Sequence, residues 1–208
     1  MTVYLLGGFN TWSWRLSPID QRCIAESANK SIYVVDLTSE DSAITRLYRP
    51  VLTGYFLALG ATSVGYVSLA SGPEEIAQRF NESGIIYVPG GDTELLIRNM
   101  GRLALAPLFQ TFEGAVAGNS AGAVALCKDA VLTMDDDVKE TTVLPGIGLV
   151  DYSVDPHYVE SHDTELFELS SGRVIYGVPE ESAIIQDGHT EFFGPIWRFE
   201  DGRKEQVN

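Results

Sequence analysis

The sequence predicts an α/β protein: a three-layer α/β/α sandwich around a mostly parallel central sheet. Residues 3–6, 31–37, 63–69 and 85–88 form short runs rich in β-branched and aromatic residues, the composition of strands buried on both faces. Segments of helical length separate these runs, and strands alternating with helices give a parallel sheet covered on both sides. No Pro/Gly/Ser-rich or charge-rich linker and no internal repeat interrupts the pattern, so residues 1–208 are expected to form one domain.

The elements follow from local patterning. Residues 43–59 place Leu47, Val51, Tyr55 and Leu59 four apart, which makes one apolar stripe on a helix. Residues 74–80 and 92–112 are also helical in character; Pro107 lies within the second, so two helices or one kinked helix are expected there. Beyond residue 128 the pattern loosens into short strands and turns. Residues 174–178 and 183–186 read as strands that pair as a hairpin or run consecutively, and residues 191–199 as a terminal strand before a frayed polar tail. Functional groups in such sheets gather at the carboxyl ends of the strands.

Composition narrows the class. The chain has 208 residues, 45% hydrophobic and 21% charged, enough apolar material for a substantial core in a soluble protein. Fourteen basic residues face 29 acidic ones, a net charge of −15. The excess is uneven: residues 129–208 hold 18 acids and 5 bases, residues 1–128 hold 11 and 9. Such a surface repels phosphate backbones and acidic headgroups, so neither nucleic acid nor membrane is an expected partner. No apolar run approaches the roughly 20 residues that span a bilayer, and the start lacks a signal-like pattern, so a cytoplasmic location is expected. Cys23 and Cys127 have no metal-ligand spacing and read as buried free thiols, with no metal and no cofactor implied.

The most informative stretch is 115–123, where an apolar run enters Gly118-Asn119-Ser120-Ala121-Gly122 and a run of small residues follows. A nucleophile on a tight strand-to-helix turn sits in a strained backbone, and side chains two positions either side would clash. The turn also puts Ser120 at a helix N-terminus, where free N–H groups stabilise developing negative charge.

A serine nucleophile needs a base. His157, in Asp155-Pro156-His157-Tyr158, follows an apparent strand and can reach the same sheet edge as Ser120. His162 lies in a polar stretch and His189 at an apparent hairpin tip, so both are weaker candidates. The third member should be a carboxylate that fixes the imidazole tautomer. Glu180 directly follows a strand; Asp135, Asp136 and Asp137 compete, because a Ser…Asp…His order also occurs in triads. The oxyanion needs two donors: the Ala121 N–H is one, and Gly91, in the Gly90-Gly91 pair after the strand at 85–88, is the favoured second.

Together these pieces resemble the peptidase E and cyanophycinase family of serine peptidases, whose fold is like that of class I glutamine amidotransferases. The motifs that carry the resemblance are Gly90-Gly91-Asp92-Thr93, Gly118-Asn119-Ser120-Ala121-Gly122-Ala123, Asp155-Pro156-His157-Tyr158 and Gly177-Val178-Pro179-Glu180, in that order. The resemblance implies Ser120 as nucleophile, His157 as general base and Glu180 as acidic partner, with Gly91 and Ala121 forming the oxyanion hole. Asp135 is the second choice for the acid. Peptidase E removes an N-terminal aspartate, and a basic residue after the histidine motif would be expected to help recognise it. Residues 158–172 hold no Arg or Lys, which puts aspartyl specificity in doubt.

The expected activity is therefore that of a serine exopeptidase acting on short peptides, with a homodimer allowed. A catalytically silent member of the fold that binds a small molecule or partner is the alternative. A glutamine amidotransferase would need a cysteine where Ser120 stands, and Cys127 lies about two turns further on.

Overall fold

The computed structural model describes residues 1–9, 17–134 and 140–208. The first half alternates as expected: β1 (Thr2–Leu6), α1 (Pro18–Glu26), β2 (Ser31–Val35), α2 (Ser42–Ala58), β3 (Ser63–Val67), α3 (Pro73–Glu82) and β4 (Ile85–Val88). Two helices then follow, α4 (Thr93–Arg102) and α5 (Ala106–Thr111), with Pro107 in the first turn of the second. β5 (Ala115–Asn119) and α6 (Ala121–Leu126) complete this part. Helix α1 escaped the sequence reading, although Ser17 caps it by accepting from the Asp20 N–H and Pro18 opens it.

The second half supplies β6 (Asp129–Leu132), β7 (Thr142–Pro145), β8 (Ser153–Pro156), α7 (Asp163–Leu169) and β9 (Val174–Val178). It ends in β10 (Ala183–Asp187), β11 (His189–Phe193), β12 (Trp197–Glu200) and β13 (Arg203–Gln206). A seven-stranded sheet has the order β11-β10-β1-β5-β4-β2-β3. β1, β5, β4, β2 and β3 run parallel, while β10 and β11 add an antiparallel edge. A four-stranded sheet, β13-β12-β9-β8, stands beside it, and β6 pairs with β7.

Three expectations for the second half are corrected. The strands at 174–178 and 183–186 neither pair nor share a sheet: β9 belongs to the smaller sheet and β10 to the larger, where it pairs with β1. The span 191–199 is two strands split between the sheets, and the polar tail is β13, paired with β12. On α2 the buried face is Leu52, Tyr55, Phe56 and Leu59, not the stripe through Leu47, which is 68% exposed. Tyr55 and Leu59 belong to both patterns, but the sheet meets the helix on the side of Leu52 and Phe56.

The strand period of two explains how one sheet serves two helical layers. Tyr4 and Leu6 of β1 face the α1 and α2 side, with Ile19, Cys23, Tyr55 and Phe56, while Val3 and Leu5 face Phe80, Met100 and Phe109 of the other layer. Phe80 anchors that layer, edge-on to Tyr33 at 6.0 Å and to Phe109 at 5.3 Å between ring centroids. Each such ring contributes about 2–3 kcal/mol by burial. Among the described residues, no helix is long and apolar enough to cross a membrane.

Candidate active site

The parallel strands end at one edge, and the chemistry gathers there. β5 delivers Ser120, which takes φ +53° and ψ −116° before α6 begins. For a residue with a Cβ this is a strained conformation that only a tightly built surround maintains. The surround is built from small residues: a Cβ at Gly118 would lie 2.6 Å from the Gly122 carbonyl carbon, and one at Gly122 would lie 2.0 Å from the Val88 oxygen. The elbow glycines are thus a steric requirement of packing α6 against β4 and β5.

Three successive carbonyls after β1 tie the site together. Leu6 O accepts from the Ser120 N–H at 3.0 Å, Gly7 O from His157 N–H at 2.6 Å, and Gly8 O from Glu181 N–H at 3.1 Å. One short segment therefore sets the relative positions of the turns that carry Ser120, His157 and Glu180. Sequence reading missed this role; consecutive glycines directly after a strand were the available signal.

The side chains meet as the backbone implies. His157 Nε2 lies 2.8 Å from Ser120 Oγ, and its Nδ1 lies 3.2 Å from Glu180 Oε1. His157 itself has φ +54°, a second non-glycine residue of the site in the left-handed region. The Glu180 side chain is 74% exposed, so water screens its charge. Asp135, with Asp136 and Asp137, lies outside the described residues.

The other histidines stand elsewhere. His162 Nδ1 lies 2.8 Å from Oδ2 of the buried Asp155, whose Oδ1 accepts from the Thr133 hydroxyl at 2.8 Å. His189 is exposed beside Gly188 at the tip of the β10–β11 hairpin. Cys127 is buried and its thiol donates to Ala123 O at 3.3 Å. Burial pushes this thiol up to about 12, so it offers no thiolate nucleophile near neutral pH.

The Gly90-Gly91 loop borders the serine: a Cβ at Gly90 would be 3.2 Å from Ser120 Cβ. Gly91 takes φ +136° and faces Thr38, whose Cβ would be 2.7 Å from any Cβ placed there. The Ala121 N–H opens α6, where the first amides of a helix have no intrahelical acceptor. A cleft of about 560 Å³ runs from the serine past Phe9, Asp36, Thr38, Tyr48 and Asn119. Sequence reading gave none of these residues a place in the cleft wall, although Asp36 directly follows β2 and Thr38 lies two residues further on, where the strand-end rule points.

Comparison with known proteins agrees with this architecture. The model of peptidase family S51 matches residues 40–192. A peptidase from an acI-B1 Actinobacterium has a similar fold, with a TM-score of 0.71 and 17% identity, the match covering all of this chain and 93% of that one. A protein from Listeria monocytogenes, assigned to peptidase E, gives a TM-score of 0.66 and 20% identity, covering all of this chain and 98% of that one. No curated protein sequence matches the chain. With the family model spanning most of its length, the chain belongs to peptidase family S51, a family of serine peptidases.

Proposed function

We propose that this protein is a dipeptidase-like serine exopeptidase that hydrolyses short peptides through an acyl-enzyme on Ser120. The observation that carries the reading is the 2.8 Å approach of His157 Nε2 to a serine oxygen held on a strained turn. In that geometry the imidazole accepts the hydroxyl proton as Oγ attacks the peptide carbonyl. Glu180 accepts from Nδ1–H, which leaves the Nε2 lone pair facing the serine, and it stabilises the imidazolium that forms.

The tetrahedral oxygen would lie between the Gly91 and Ala121 N–H groups, the second of which shares the dipole of α6. Collapse of the intermediate breaks the C–N bond as the imidazolium returns its proton to the leaving amine. Water then loses a proton to His157 and attacks the acyl ester, which frees the product acid and restores Ser120. His157 thus carries two protons per cycle, one from Ser120 Oγ to the leaving amine and one from water back to Ser120 Oγ.

Two features favour short substrates without an aspartate requirement. The cleft volume is in the range of small-ligand sites. Among the described residues of its wall, Asp36 and Glu180 are acidic and none is Lys or Arg. The test is hydrolysis of a dipeptide and tripeptide panel, with N-terminal Asp peptides included, by wild type and Ser120→Ala, read by mass spectrometry. Cleavage by wild type alone supports the reading, and equal cleavage by both proteins contradicts it. An inert wild type would instead favour a silent binding member of the fold.

A further inference from the structure

One wall of the cleft holds two hydrogen-bond acceptors that the proposed chemistry does not use. Asp36 follows β2, is 7% exposed and borders the cleft. Its Oδ2 accepts from Arg49 Nε at 2.7 Å. Arg49 is itself held behind the wall, with its guanidinium 4.8 Å over the Tyr66 ring and its carbonyl accepting from the Tyr66 hydroxyl. A carboxylate has about four acceptor sites, so its contacts among the described residues leave Oδ1 able to accept more.

Asn119 is the second acceptor. It is 6% exposed and borders the same cleft beside the nucleophile. Its Nδ2 donates to Phe9 O at 3.2 Å, which fixes the amide so that Oδ1 is the free end. That oxygen is buried and has no partner among the described residues. A buried acceptor without a donor costs about 1–3 kcal/mol, a cost that a ligand donor would remove.

The sheet register relates the two. Val34 pairs with Tyr87 and Tyr87 with Ala117, so two residues further on Asp36 and Asn119 fall in one row on one face, two strands apart. Two strand spacings are about 10 Å between Cα atoms, and both side chains line the same cleft. Pro89, between them in the row, offers no N–H of its own, so a group in the cleft that donates in several directions can serve both acceptors.

We propose that Asp36 and Asn119 hold an ammonium group of the substrate, which makes them specificity-determining residues. An ammonium has three donors and a positive charge, matching one carboxylate oxygen and one amide oxygen. The ammonium comes either from the free α-amine of the residue whose carbonyl is attacked or from a lysine side chain at that residue. Arg49 stands behind the carboxylate and is not part of the cleft wall, so an acidic side chain finds repulsion there. This inference rests on the serine-peptidase reading.

Four peptides that differ only at the first residue test it in wild type: free and N-acetylated, each with Lys or norleucine. Free and acetylated aspartyl peptides extend the set, and reaction of Ser120 with a neutral fluorophosphonate is followed in parallel. A charge-assisted contact predicts kcat/KM about 10- to 100-fold higher when the ammonium is present. Loss on acetylation assigns the α-amine, and loss on replacing Lys by norleucine assigns the side chain. In Asp36→Asn that advantage falls below about 3-fold, with thermal unfolding followed to verify the fold; Asn119→Ala provides a second, uncharged test.

Equal rates with and without the ammonium, including equal rates for free and acetylated aspartyl peptides, overturn the assignment while leaving the serine chemistry standing. An unreactive Ser120 overturns both.

Discussion

The imidazole of His157 occupies the space that a side chain at residue 8 would need: a Cβ on Gly8 would lie 2.2 Å from His157 Cε1 and 2.5 Å from Nδ1. Gly8 takes φ +146°, and its carbonyl also holds the Glu181 turn. A residue with no chemistry of its own thus sets where the proposed general base can stand.

Gly8→Ala is expected to displace the ring by an ångström or more and lower kcat/KM about 100-fold, the usual result of such a misplacement. Steady-state hydrolysis of the best panel peptide measures it. A change of less than about 3-fold would show that the ring is positioned by other contacts.

Glu180→Gln keeps a side chain of the same shape 3.2 Å from Nδ1 but removes the charge proposed to stabilise the imidazolium. A buried triad carboxylate is worth about 10⁴ in kcat, whereas Glu180 is largely exposed and screened. A fall of about 10- to 100-fold in kcat with little change in KM is expected. An unchanged kcat would assign the third position to another carboxylate, with Asp135 the next variant to make.

Gly122→Ala tests the elbow as architecture. The added methyl would lie 2.0 Å from the Val88 carbonyl oxygen, and neither the β4 backbone nor α6 can retreat without opening the core around Ala121 and Val124. A stability loss of about 3 kcal/mol is expected from this overpacking. Urea unfolding provides the measurement, and a loss under about 1 kcal/mol would mean that the turn is more pliant than its packing indicates.

Asp20 gives a pH dependence separate from catalysis. Burial raises its carboxyl to about 6, only partly offset by the Tyr55 hydroxyl, which donates to Oδ2 at 2.6 Å. The folded state therefore binds a proton that the unfolded chain, titrating near 4, has already released. Stability from this group is greatest below about pH 4, falls as pH rises to about 6, and is level above that. Asp20→Asn keeps an acceptor for Tyr55 and removes the titration. Its stability relative to wild type should rise by about 3 kcal/mol between pH 4 and pH 7, measured as the difference between paired urea titrations. A pH-independent difference would contradict this assignment.

What the sequence made legible was local. The parallel strands show as apolar runs because both their faces are buried, and the elbow shows because its steric demand selects glycine and alanine at fixed offsets from Ser120. The Ser17-Pro18 start of α1 was equally local and was missed because no apolar run follows it; Asp20, a buried charge, breaks the pattern. Other features depend on pairings distant in sequence. β9 and β10 are five residues apart and enter different sheets, a choice made by the partners waiting in β8 and β1. The Gly7 carbonyl reaches His157 across 150 positions, and Asp36 meets the cleft only through the β2–β4–β5 register. Motif spacing could nominate Ser120, His157 and Glu180, but not the walls between them.

The proposed mechanism requires Ser120 to form an acyl-enzyme with His157 as its base. Intact-protein mass spectrometry after reaction with a fluorophosphonate, with the adduct mapped by proteolysis, tests it most directly in wild type and His157→Ala. One adduct per chain on Ser120 is expected, forming at least 100-fold more slowly in His157→Ala. No adduct on Ser120, or labelling at the same rate without His157, would contradict it.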